Sequence, residues 1–396
     1  MSLLSTVLGQ FDEPQKVQAK GVYPYFRPIE SDQDTVVRIN GKPVLMFGSN
    51  SYLGLTNHPR LKEGAIKAIE KYGTGCAGSR FLNGTLDIHV ELEERLARLV
   101  GKEEALVYAT GFTANSGVIP CLGGREDYLI FDELDHASIV EGKRLSFAKQ
   151  LKYKHNDMED LERLLSKCDY DRVKVIAVDG VFSMEGDIAN LPVIAEFAKK
   201  YNASIYVDEA HSLGVFGKTG AGVCEHFGLV DDVDIIMGTF SKSLGTIGGF
   251  VASDKNIINY LKHTSRTLIF SASITPASTG CVLAALDVMA EETWRKDQLW
   301  ANTYRALDGF KKAGFEVGHN ACTPIIPLMI RDNDKTFMLT RILMDDGVFV
   351  NPVVSPAVPS QDTMIRYSLM ATHTFEQIDE SIDKITKAAK ELQILP

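Results

Sequence analysis

Short apolar runs alternate along the chain with longer segments in which apolar positions recur at helical spacing. Seven such runs lie between residues 105 and 252, and most are separated from the next by a helical segment. They are Ala105–Tyr108, Tyr128–Asp132, Leu151–Tyr153, Val173–Asp179, Ser204–Asp208, Asp234–Thr239 and Gly249–Ala252. Strands that alternate with helices are typical of a mostly parallel sheet covered on both faces. The pattern therefore predicts an α/β domain with a seven-stranded sheet.

The two ends of the chain follow other patterns. Residues 36–47 have Asn40 and Gly41 between two β-rich runs, which predicts a hairpin. Near the C-terminus, strands are predicted at Ile325–Ile330, Val348–Val350 and Met364–Leu369, and a helix at Thr374–Leu392. We therefore predict an N-terminal segment over residues 1–50, a large α/β domain over 51–275 and a small α+β domain over 276–396.

A GxGxxG pattern begins at Gly73, but it does not predict a dinucleotide site. That fingerprint requires a strand before it, whereas the segment Pro59–Tyr72 is helical in pattern and Gly73 is placed as its C-cap. A further helix is predicted over Asp87–Val100, with Gly101 as its stop.

One lysine lies among small and hydroxyl residues directly after an apolar run. Lys242 belongs to the segment GTFSKSLGTIGGF, residues 238–250. A lysine in a pocket that removes it from water loses part of its preference for the charged form, and the amine can then form a Schiff base with an aldehyde cofactor. Thr239 and Ser241 would offer hydroxyl groups to a phosphate. The alternative is a solvated lysine in a Gly/Ser-rich loop.

Polar residues also follow two upstream strands. Asp208 and His211 come after the run that begins at Ser204, and His136 follows the run that begins at Tyr128. Strand ends in α/β sheets are where ligands bind. An aspartate there can hold a protonated ring nitrogen, and an imidazole can stack on a flat aromatic cofactor. Each histidine taken singly could be structural, but together with the lysine these residues predict a cofactor site.

These segments resemble the α-oxoamine synthases, enzymes of pyridoxal 5′-phosphate (PLP) fold type I. Members of this family condense an amino acid with an acyl-CoA thioester and release carbon dioxide. The matching segments are FGSNSYLGL (47–55), GSRFLNGT (78–85), ATGFTAN (109–115), FDELDHAS (131–138), DEAHSLG (208–214), GTFSKS (238–243) and IRYSLMATHT (365–374). The resemblance covers nearly the whole chain. It implies a PLP-dependent transferase of fold type I with a smaller C-terminal domain.

The resemblance also implies roles around PLP. Lys242 would hold the cofactor and later remove the α-proton of the substrate. Asp208 would keep the pyridine nitrogen protonated, and His136 would stack on the ring, although it could equally be a helix cap. His211 and Ser183 would lie near the 3-hydroxyl group. The phosphate would be bound by the backbone amides of Gly111 and Phe112, the hydroxyls of Thr239 and Ser241, and Ser273 from a neighbouring subunit.

Substrate binding is assigned by the same resemblance. A guanidinium makes a two-point contact with a carboxylate, so Arg366 would hold the carboxylate of the amino acid. The alternative is a surface arginine on a strand, and Ser273 could likewise belong to an ordinary helix start before Pro276. The entrance to the site would be lined by Asn50, Tyr52, Ser79 and Arg80.

The sequence of the loop around the lysine differs between members of the family that use different amino acids. Its Phe240, Ser241 and Ser243 are similar to those of members that join L-serine to palmitoyl-CoA, whereas relatives that use glycine or alanine typically carry a GTLGKA-like or GTLAKA-like loop. The resemblance thus implies formation of 3-oxosphinganine, CoA and carbon dioxide, the first step of sphingolipid synthesis. A sister synthase that uses glycine or alanine remains an alternative. A non-catalytic subunit of the same fold is disfavoured, since it would not need Lys242.

Composition limits the partners. The net charge of −10 argues against nucleic acid. The chain has no apolar run long enough to span a membrane, and its first residues lack the basic region of a signal peptide. The six cysteines are scattered without a CxxC pair, which is typical of reduced thiols and predicts neither a zinc site nor a disulfide framework. We expect a cytoplasmic homodimer that binds L-serine and a long-chain acyl-CoA, with no metal.

The first residues predict a short amphipathic helix. Its apolar face is formed by Leu3, Leu4, Val7, Leu8 and Phe11. This face could make a peripheral contact with the inner face of the membrane, or it could pack on the protein or on its dimer partner. Packing is favoured, because Asp12 and Glu13 are acidic and no lysine precedes Lys16.

Overall fold

The computed structural model of the chain describes residues 2–318, 320–355 and 357–396. The strands in these ranges are β1 (Val36–Ile39), β2 (Lys42–Met46), β3 (Glu104–Tyr108), β4 (Tyr128–Asp132), β5 (Lys149–Tyr153), β6 (Lys174–Asp179), β7 (Ser204–Asp208), β8 (Ile235–Thr239), β9 (Gly249–Ser253), β10 (Ile325–Met329), β11 (Val348–Phe349), β12 (Asn351–Val353) and β13 (Met364–Ser368). The α-helices are α1 (Leu3–Leu8), α2 (Glu13–Ala19), α3 (Pro59–Tyr72), α4 (Asp87–Val100), α5 (Gly111–Val118), α6 (Ala137–Leu145), α7 (Met158–Leu165), α8 (Leu191–Tyr201), α9 (Val223–His226), α10 (Lys255–Thr264), α11 (Arg266–Ile269), α12 (Pro276–Glu291), α13 (Trp294–Lys312), α14 (Asn333–Asp345) and α15 (Phe375–Glu391).

The main sheet has seven strands in the order β3-β9-β8-β7-β6-β4-β5. Strands β5, β4, β6, β7 and β8 are parallel to their neighbours, whereas β9 is antiparallel to both β8 and β3. All seven strands were predicted, with ends that differ by two residues at most. The prediction of a mostly parallel α/β sheet of PLP fold type I is confirmed.

Burial explains why these strands read as continuous apolar runs. Every residue of β4, β6, β8 and β9 is buried, as expected when helices cover both faces of a sheet. Strand β5 lies at the edge and exposes Lys149, Gln150 and Lys152. Lysines on an edge strand discourage further strand pairing.

Two helices end at the residues that the sequence predicts. Helix α4 ends at Val100, and Gly101 follows with a φ of 69°. Helix α3 ends at Tyr72, and Gly73 caps it with a φ of 83°. The left-handed region favours glycine, which explains both stops. The GxGxxG pattern therefore follows a helix, as predicted, and does not have the strand that a dinucleotide fold requires.

The chain divides into two compact units. The larger comprises residues 50–300 and 370–372, and the smaller comprises residues 1–49, 301–369 and 373–396. Two boundaries differ from the predicted regions. The N-terminal hairpin joins the smaller unit because β2 pairs in parallel with β11. Helix α12 belongs to the larger unit, where it approaches α3 so closely that a Cβ on Gly280 would lie 2.3 Å from the carbonyl oxygen of Gly64.

The smaller unit contains two three-stranded sheets, β1-β2-β11 and β10-β13-β12. The predicted hairpin is confirmed, and its turn residues Asn40 and Gly41 have φ values of 51° and 71°. Positive φ at both positions is what a primed hairpin turn requires. Strand β12 was not predicted, since it has only three residues and one of them is Pro352.

The N-terminal apolar face is exposed in the single chain. The predicted helix is confirmed over Leu3–Leu8 and ends before Phe11, and the exposed fractions of Leu3 and Phe11 are 81% and 68%. Within the ranges described above, no helix combines the length and apolar character needed to cross a bilayer.

Candidate active site

A cavity of about 300 Å³ lies in the larger unit where β4, β6, β7 and β8 end. Eight of the predicted site residues line it, namely Gly111, Phe112, His136, Asp208, His211, Thr239, Ser241 and Lys242. The cavity is also lined by Thr110, Ser138, Asp179, Ala210, Met237, Ile247 and Gly248. Residues far apart in sequence therefore meet at the carboxyl edge of the sheet, where α/β folds place their ligands.

Asp208 is held in one orientation by hydrogen bonds to both carboxylate oxygens. It is the last residue of β7 and is buried. Its Oδ1 accepts a hydrogen bond of 2.9 Å from the backbone N–H of Ala210, and its Oδ2 accepts one of 2.7 Å from Nδ2 of Asn115. The fully buried Asn115 also donates to Oγ of Ser138 at 2.8 Å and accepts from the hydroxyl of Tyr206 at 2.5 Å. A buried amide thus fixes the carboxylate before any ligand arrives.

His136 is both a helix cap and a residue that lines the cavity. It is the N-cap of α6, and its Nδ1 accepts a hydrogen bond from the backbone N–H of Ser138. Its own backbone N–H donates to Oδ2 of Asp179 at 2.7 Å. The two interpretations weighed from the sequence are therefore compatible.

The charge state of this histidine follows from its surroundings. Burial lowers the pKa of His136, and the positive charge of Lys242 acts in the same direction against the attraction of Asp208. The imidazole is consequently neutral at neutral pH. Burial, followed by repulsion from Asp208, raises the pKa of Asp179 well above its ordinary value.

The N-terminus of α5 and the end of β8 form one wall of the cavity. Thr110 caps α5 by accepting a hydrogen bond of 3.0 Å from the N–H of Thr113. The N–H groups at the start of a helix have no acceptor within the helix, and they favour anions. Gly111 has no room for a side chain here, because a Cβ would lie 2.9 Å from Cβ of Thr239. Oγ1 of Thr239 lies 3.0 Å from Oγ of Ser241, so two hydroxyls adjoin these amides.

The segment that presents Lys242 is anchored by an aromatic residue. Phe240 is fully buried, and its ring stacks on that of Phe250 with centroids 5.9 Å apart. Its N–H donates to the carbonyl of Gly248 at 3.0 Å, and a Cβ on Gly248 would lie 2.4 Å from the Phe240 ring. Lys242 itself is half-buried. The aromatic residue that suggested serine as the substrate is therefore part of the support for the lysine loop.

Tyr52 is hydrogen-bonded to His211, which lines the cavity. The hydroxyl of Tyr52 lies 2.6 Å from Nδ1 of His211, and Tyr52 is fully buried. Oδ1 of Asn50 lies 3.5 Å from the same hydroxyl. Tyr52 thus orients an imidazole that lines the cavity.

Other predicted residues are placed outside the cavity lining. Ser183 is half-buried in the turn after β6. Ser273 donates to the carbonyl oxygen of Gly84 at 2.7 Å and so fastens the segment 78–85 within one chain. Ser79 is buried, and its Oγ has no hydrogen-bond partner among the described residues.

Arg366 belongs to the smaller unit and lies on β13. It is only 4% exposed, and its Nη1 donates to Oγ of Ser368 at 2.6 Å. The alternative of a surface arginine is therefore wrong. A buried guanidinium is rare without a specific partner or ligand.

Sequence reasoning missed Asn115 and Asp179. A signal existed for Asp179, because it ends a predicted strand just as Asp208 does, and the structure places the two in register on neighbouring strands. Asn115 carried no comparable signal. It lies in the middle of α5, and only the packing of that helix on the sheet brings its amide to Asp208.

Comparison with known proteins places the chain in a family. The aminotransferase class I and II profile matches residues 42–385. The chain belongs to this family. A serine palmitoyltransferase of Bacteroides thetaiotaomicron is 61% identical over 395 residues, with 100% of both chains covered. An 8-amino-7-oxononanoate synthase of Treponema denticola is 43% identical over 383 residues, with 96% of both covered.

A solved structure agrees with these relatives. It is a serine palmitoyltransferase from S. paucimobilis with a bound PLP–myriocin aldimine, and it superposes with a TM-score of 0.96 at 35% identity, covering 100% of both chains. The resemblance to the α-oxoamine synthases is confirmed.

Proposed function

We propose that this protein catalyses the decarboxylative condensation of L-serine with palmitoyl-CoA to 3-oxosphinganine, CoA and carbon dioxide. The observation that carries the proposal is the 61% identity, over the whole chain, to a serine palmitoyltransferase. Identity to an 8-amino-7-oxononanoate synthase is lower, at 43%, which disfavours the sister-synthase alternative. Lys242, Asp208 and His136 line one cavity, which argues against a non-catalytic subunit.

The residues around the cavity fit pyridoxal phosphate. The amides of Gly111 and Phe112 with the hydroxyls of Thr239 and Ser241 suit a phosphate, and Asp208 suits a protonated ring nitrogen. When bound there, the cofactor supplies an electron sink that stabilises negative charge at the α-carbon of an amino acid.

The residues around the cavity would have separate roles in the reaction. Lys242 would hold the cofactor through Nζ and, once displaced by serine, would accept the proton from the α-carbon as a neutral amine. Asp208 would keep a proton on the ring nitrogen through its negative charge. Its two oxygens are already held in place by Asn115 and by the N–H of Ala210. The neutral imidazole of His136 would cover one face of the ring.

Substrate recognition is assigned to a small set of polar side chains. Arg366 would bind the serine carboxylate, because a planar guanidinium offers two parallel N–H donors. His211, oriented by Tyr52, would lie near the 3-hydroxyl group together with Ser183. Asn50 and Ser79 would line the entrance.

We also infer a cytoplasmic homodimer that binds a long-chain acyl-CoA. Ser273 of a neighbouring subunit would complete the phosphate site in this arrangement. The exposed apolar face of α1 would pack on the dimer partner, with a peripheral membrane contact as the alternative.

Product analysis tests the reaction directly. The purified protein would be incubated with serine, glycine or alanine against a series of acyl-CoA chain lengths, and the lipid products would be identified by mass spectrometry. We expect 3-oxosphinganine from serine and palmitoyl-CoA at a rate well above that of any other pair. Preferred use of glycine or alanine would contradict the proposal.

A further inference from the structure

His155 lies outside the cavity and joins two buried carboxylates. It follows β5, and its Nδ1 lies 3.0 Å from Oδ1 of Asp132. Its Nε2 lies 3.0 Å from Oδ2 of Asp187. The side chain of Asp132 is fully buried and that of Asp187 is 7% exposed, whereas that of His155 is 21% exposed. One imidazole thus spans two acids that are far apart in sequence.

The next residue, Asn156, makes a second set of bonds to the same acids. Its backbone N–H donates to Oδ2 of Asp132 at 2.8 Å. Its Nδ2 donates to Oδ2 of Asp187 at 3.0 Å and to the carbonyl oxygen of Ile188 at 3.1 Å. The φ of Asn156 is 49°, a left-handed conformation that lets both residues face the acids.

The imidazole requires its positive charge for this arrangement. Only the protonated ring can donate from both nitrogens. Burial alone would lower the pKa of His155, but the hydrogen bonds and charges of Asp132 and Asp187 raise it to about 10. His155 is therefore an imidazolium at neutral pH and partly balances two buried carboxylates.

The first acid belongs to the segment that carries His136. The backbone N–H of Asp132 donates to Oδ2 of Asp135 at 3.0 Å, and Oδ1 of Asp135 accepts from the N–H of Asp179 at 3.0 Å. Oδ2 of Asp179 accepts from the N–H of His136. A continuous series of hydrogen bonds therefore runs from His155 to the backbone N–H of His136, whose imidazole lines the cavity.

The second acid belongs to the turn that carries Ser183. The carbonyl oxygen of Asp187 accepts a hydrogen bond of 3.0 Å from the N–H of Phe182, which closes the turn. The ring of His155 packs edge-on against that of Phe182, with centroids 4.4 Å apart. His155 and Asn156 thus hold this turn as well as the segment 132–136.

We propose that His155 and Asn156 are positioning residues of the cofactor pocket, which clamp the segment carrying His136 to the turn carrying Ser183. Neither residue lines the cavity. Their effect on the pocket acts through Asp132 and Asp187. The functional part of this inference rests on the proposed use of pyridoxal phosphate, whereas the clamp itself is a property of the apoprotein.

His155→Phe is the decisive variant. It keeps an aromatic ring against Phe182 and removes both N–H donors. In hydrogen exchange of the apoprotein, we expect faster exchange in residues 132–136 and 181–188 together, with little change elsewhere. We expect pyridoxal phosphate to bind about tenfold more weakly, the lower end of the loss seen when groups that orient metal ligands are removed. The absorbance change on adding serine should also be altered. The factor by which kcat falls should exceed the factor by which KM for serine rises.

His58→Phe is the matched control. His58 is a partly buried histidine of the same unit that faces an acid, with its Nε2 3.4 Å from Oε1 of Glu292. This variant should lose some thermal stability but keep the cofactor affinity and spectrum of the wild type. If His155→Phe behaved like this control, the clamp would be structural only and the proposal would be wrong.

Asn156→Gly covers the case in which His155→Phe does not fold. Glycine tolerates the positive φ, so this variant keeps the backbone bond to Asp132 and removes the side-chain bonds to Asp187, Ile188 and the N–H of Asn190. We expect faster exchange in the turn 181–188 and a smaller loss of cofactor affinity. Unchanged exchange there would overturn the proposal. A wild-type protein that failed to bind pyridoxal phosphate would refute the proposed function instead, and the exchange data would still test the clamp.

Discussion

Replacing Asn115 with leucine tests whether a buried amide orients Asp208. Leucine has a similar volume but no polar atoms. The substitution removes the 2.7 Å bond to Asp208, the 2.8 Å bond to Ser138 and the 2.5 Å bond from Tyr206. Ser138 keeps a partner in Nδ1 of His136, 2.7 Å away, whereas the fully buried Tyr206 hydroxyl loses its acceptor.

The expected loss of stability follows from the two groups most affected by the lost hydrogen bonds, the hydroxyl of Tyr206 and the carboxylate of Asp208. A buried hydroxyl left without a partner costs about 1–3 kcal/mol, and a hydrogen bond to a charged group contributes about 1.5–3 kcal/mol. We therefore expect Asn115→Leu to lower the free energy of unfolding by about 2.5–6 kcal/mol. Urea unfolding of the apoprotein, followed by circular dichroism, measures this change.

The same variant should affect the cofactor beyond its effect on stability. Without the amide, Oδ2 of Asp208 loses the donor that fixes it, so we expect weaker binding of pyridoxal phosphate and a changed absorbance spectrum. Asn302→Leu is the control, because Asn302 is equally buried in the smaller unit, where it donates to the carbonyl of His373 at 2.9 Å. Equal cofactor affinities in the two variants would refute a role for Asn115 in orienting Asp208.

Four further predictions use other parts of the chain. Borohydride should trap pyridoxal phosphate on Lys242, and an adduct found on another lysine by peptide mapping would contradict the assignment. Arg366→Ala should weaken serine binding by about 2–5 kcal/mol, measured by spectral titration, with little effect on palmitoyl-CoA. If serine methyl ester were the better substrate of the wild type, the carboxylate role would be wrong. Unfolding free energy should fall as the pH drops from 6.5 towards 3, by up to about 1.4 kcal/mol per pH unit, because burial lowers the pKa of His373 to about 3 and the unfolded chain binds the proton first. It should also fall as the pH rises from about 6.5 to about 10, because the pKa of His155 is raised to about 10 in the folded chain, which keeps a proton that the unfolded chain has lost; a flat profile in urea titrations would contradict both effects. Deletion of residues 2–11 should lower dimer stability and leave liposome cosedimentation unchanged, whereas lost cosedimentation would favour a membrane contact.

The strands and the lysine loop could be predicted because their signals are local. A fully buried strand reads as an apolar run whatever lies beside it, and the polar residue after each run marks the carboxyl edge of the sheet. That reasoning located His136, Asp208 and Lys242 on one cavity. The glycine stops of α3 and α4 were equally local, since a positive φ selects glycine at those positions.

The contacts between distant segments could not be predicted in this way. The partners of Asp208 and His211 are Asn115 and Tyr52, and each pair is brought together only by packing of the whole unit. The pairing of β2 with β11 is a similar case, because a two-stranded hairpin gives no sign of which third strand will cover it. The region boundaries were therefore the least predictable part of the fold.

Three buried carboxylates lie on neighbouring strands at the carboxyl edge of the sheet, between the pocket and His155. Asp132, Asp179 and Asp208 end the neighbouring strands β4, β6 and β7, and all three are buried. Like charges so close in a protein interior repel one another. Two positive groups act on this row. The imidazolium of His155 contacts Asp132. Burial and the charge of Asp208 raise the pKa of Asp179, and the charge of Lys242 lowers it. The lysine of the pocket and the histidine after β5 thus both offset negative charge at this edge of the sheet.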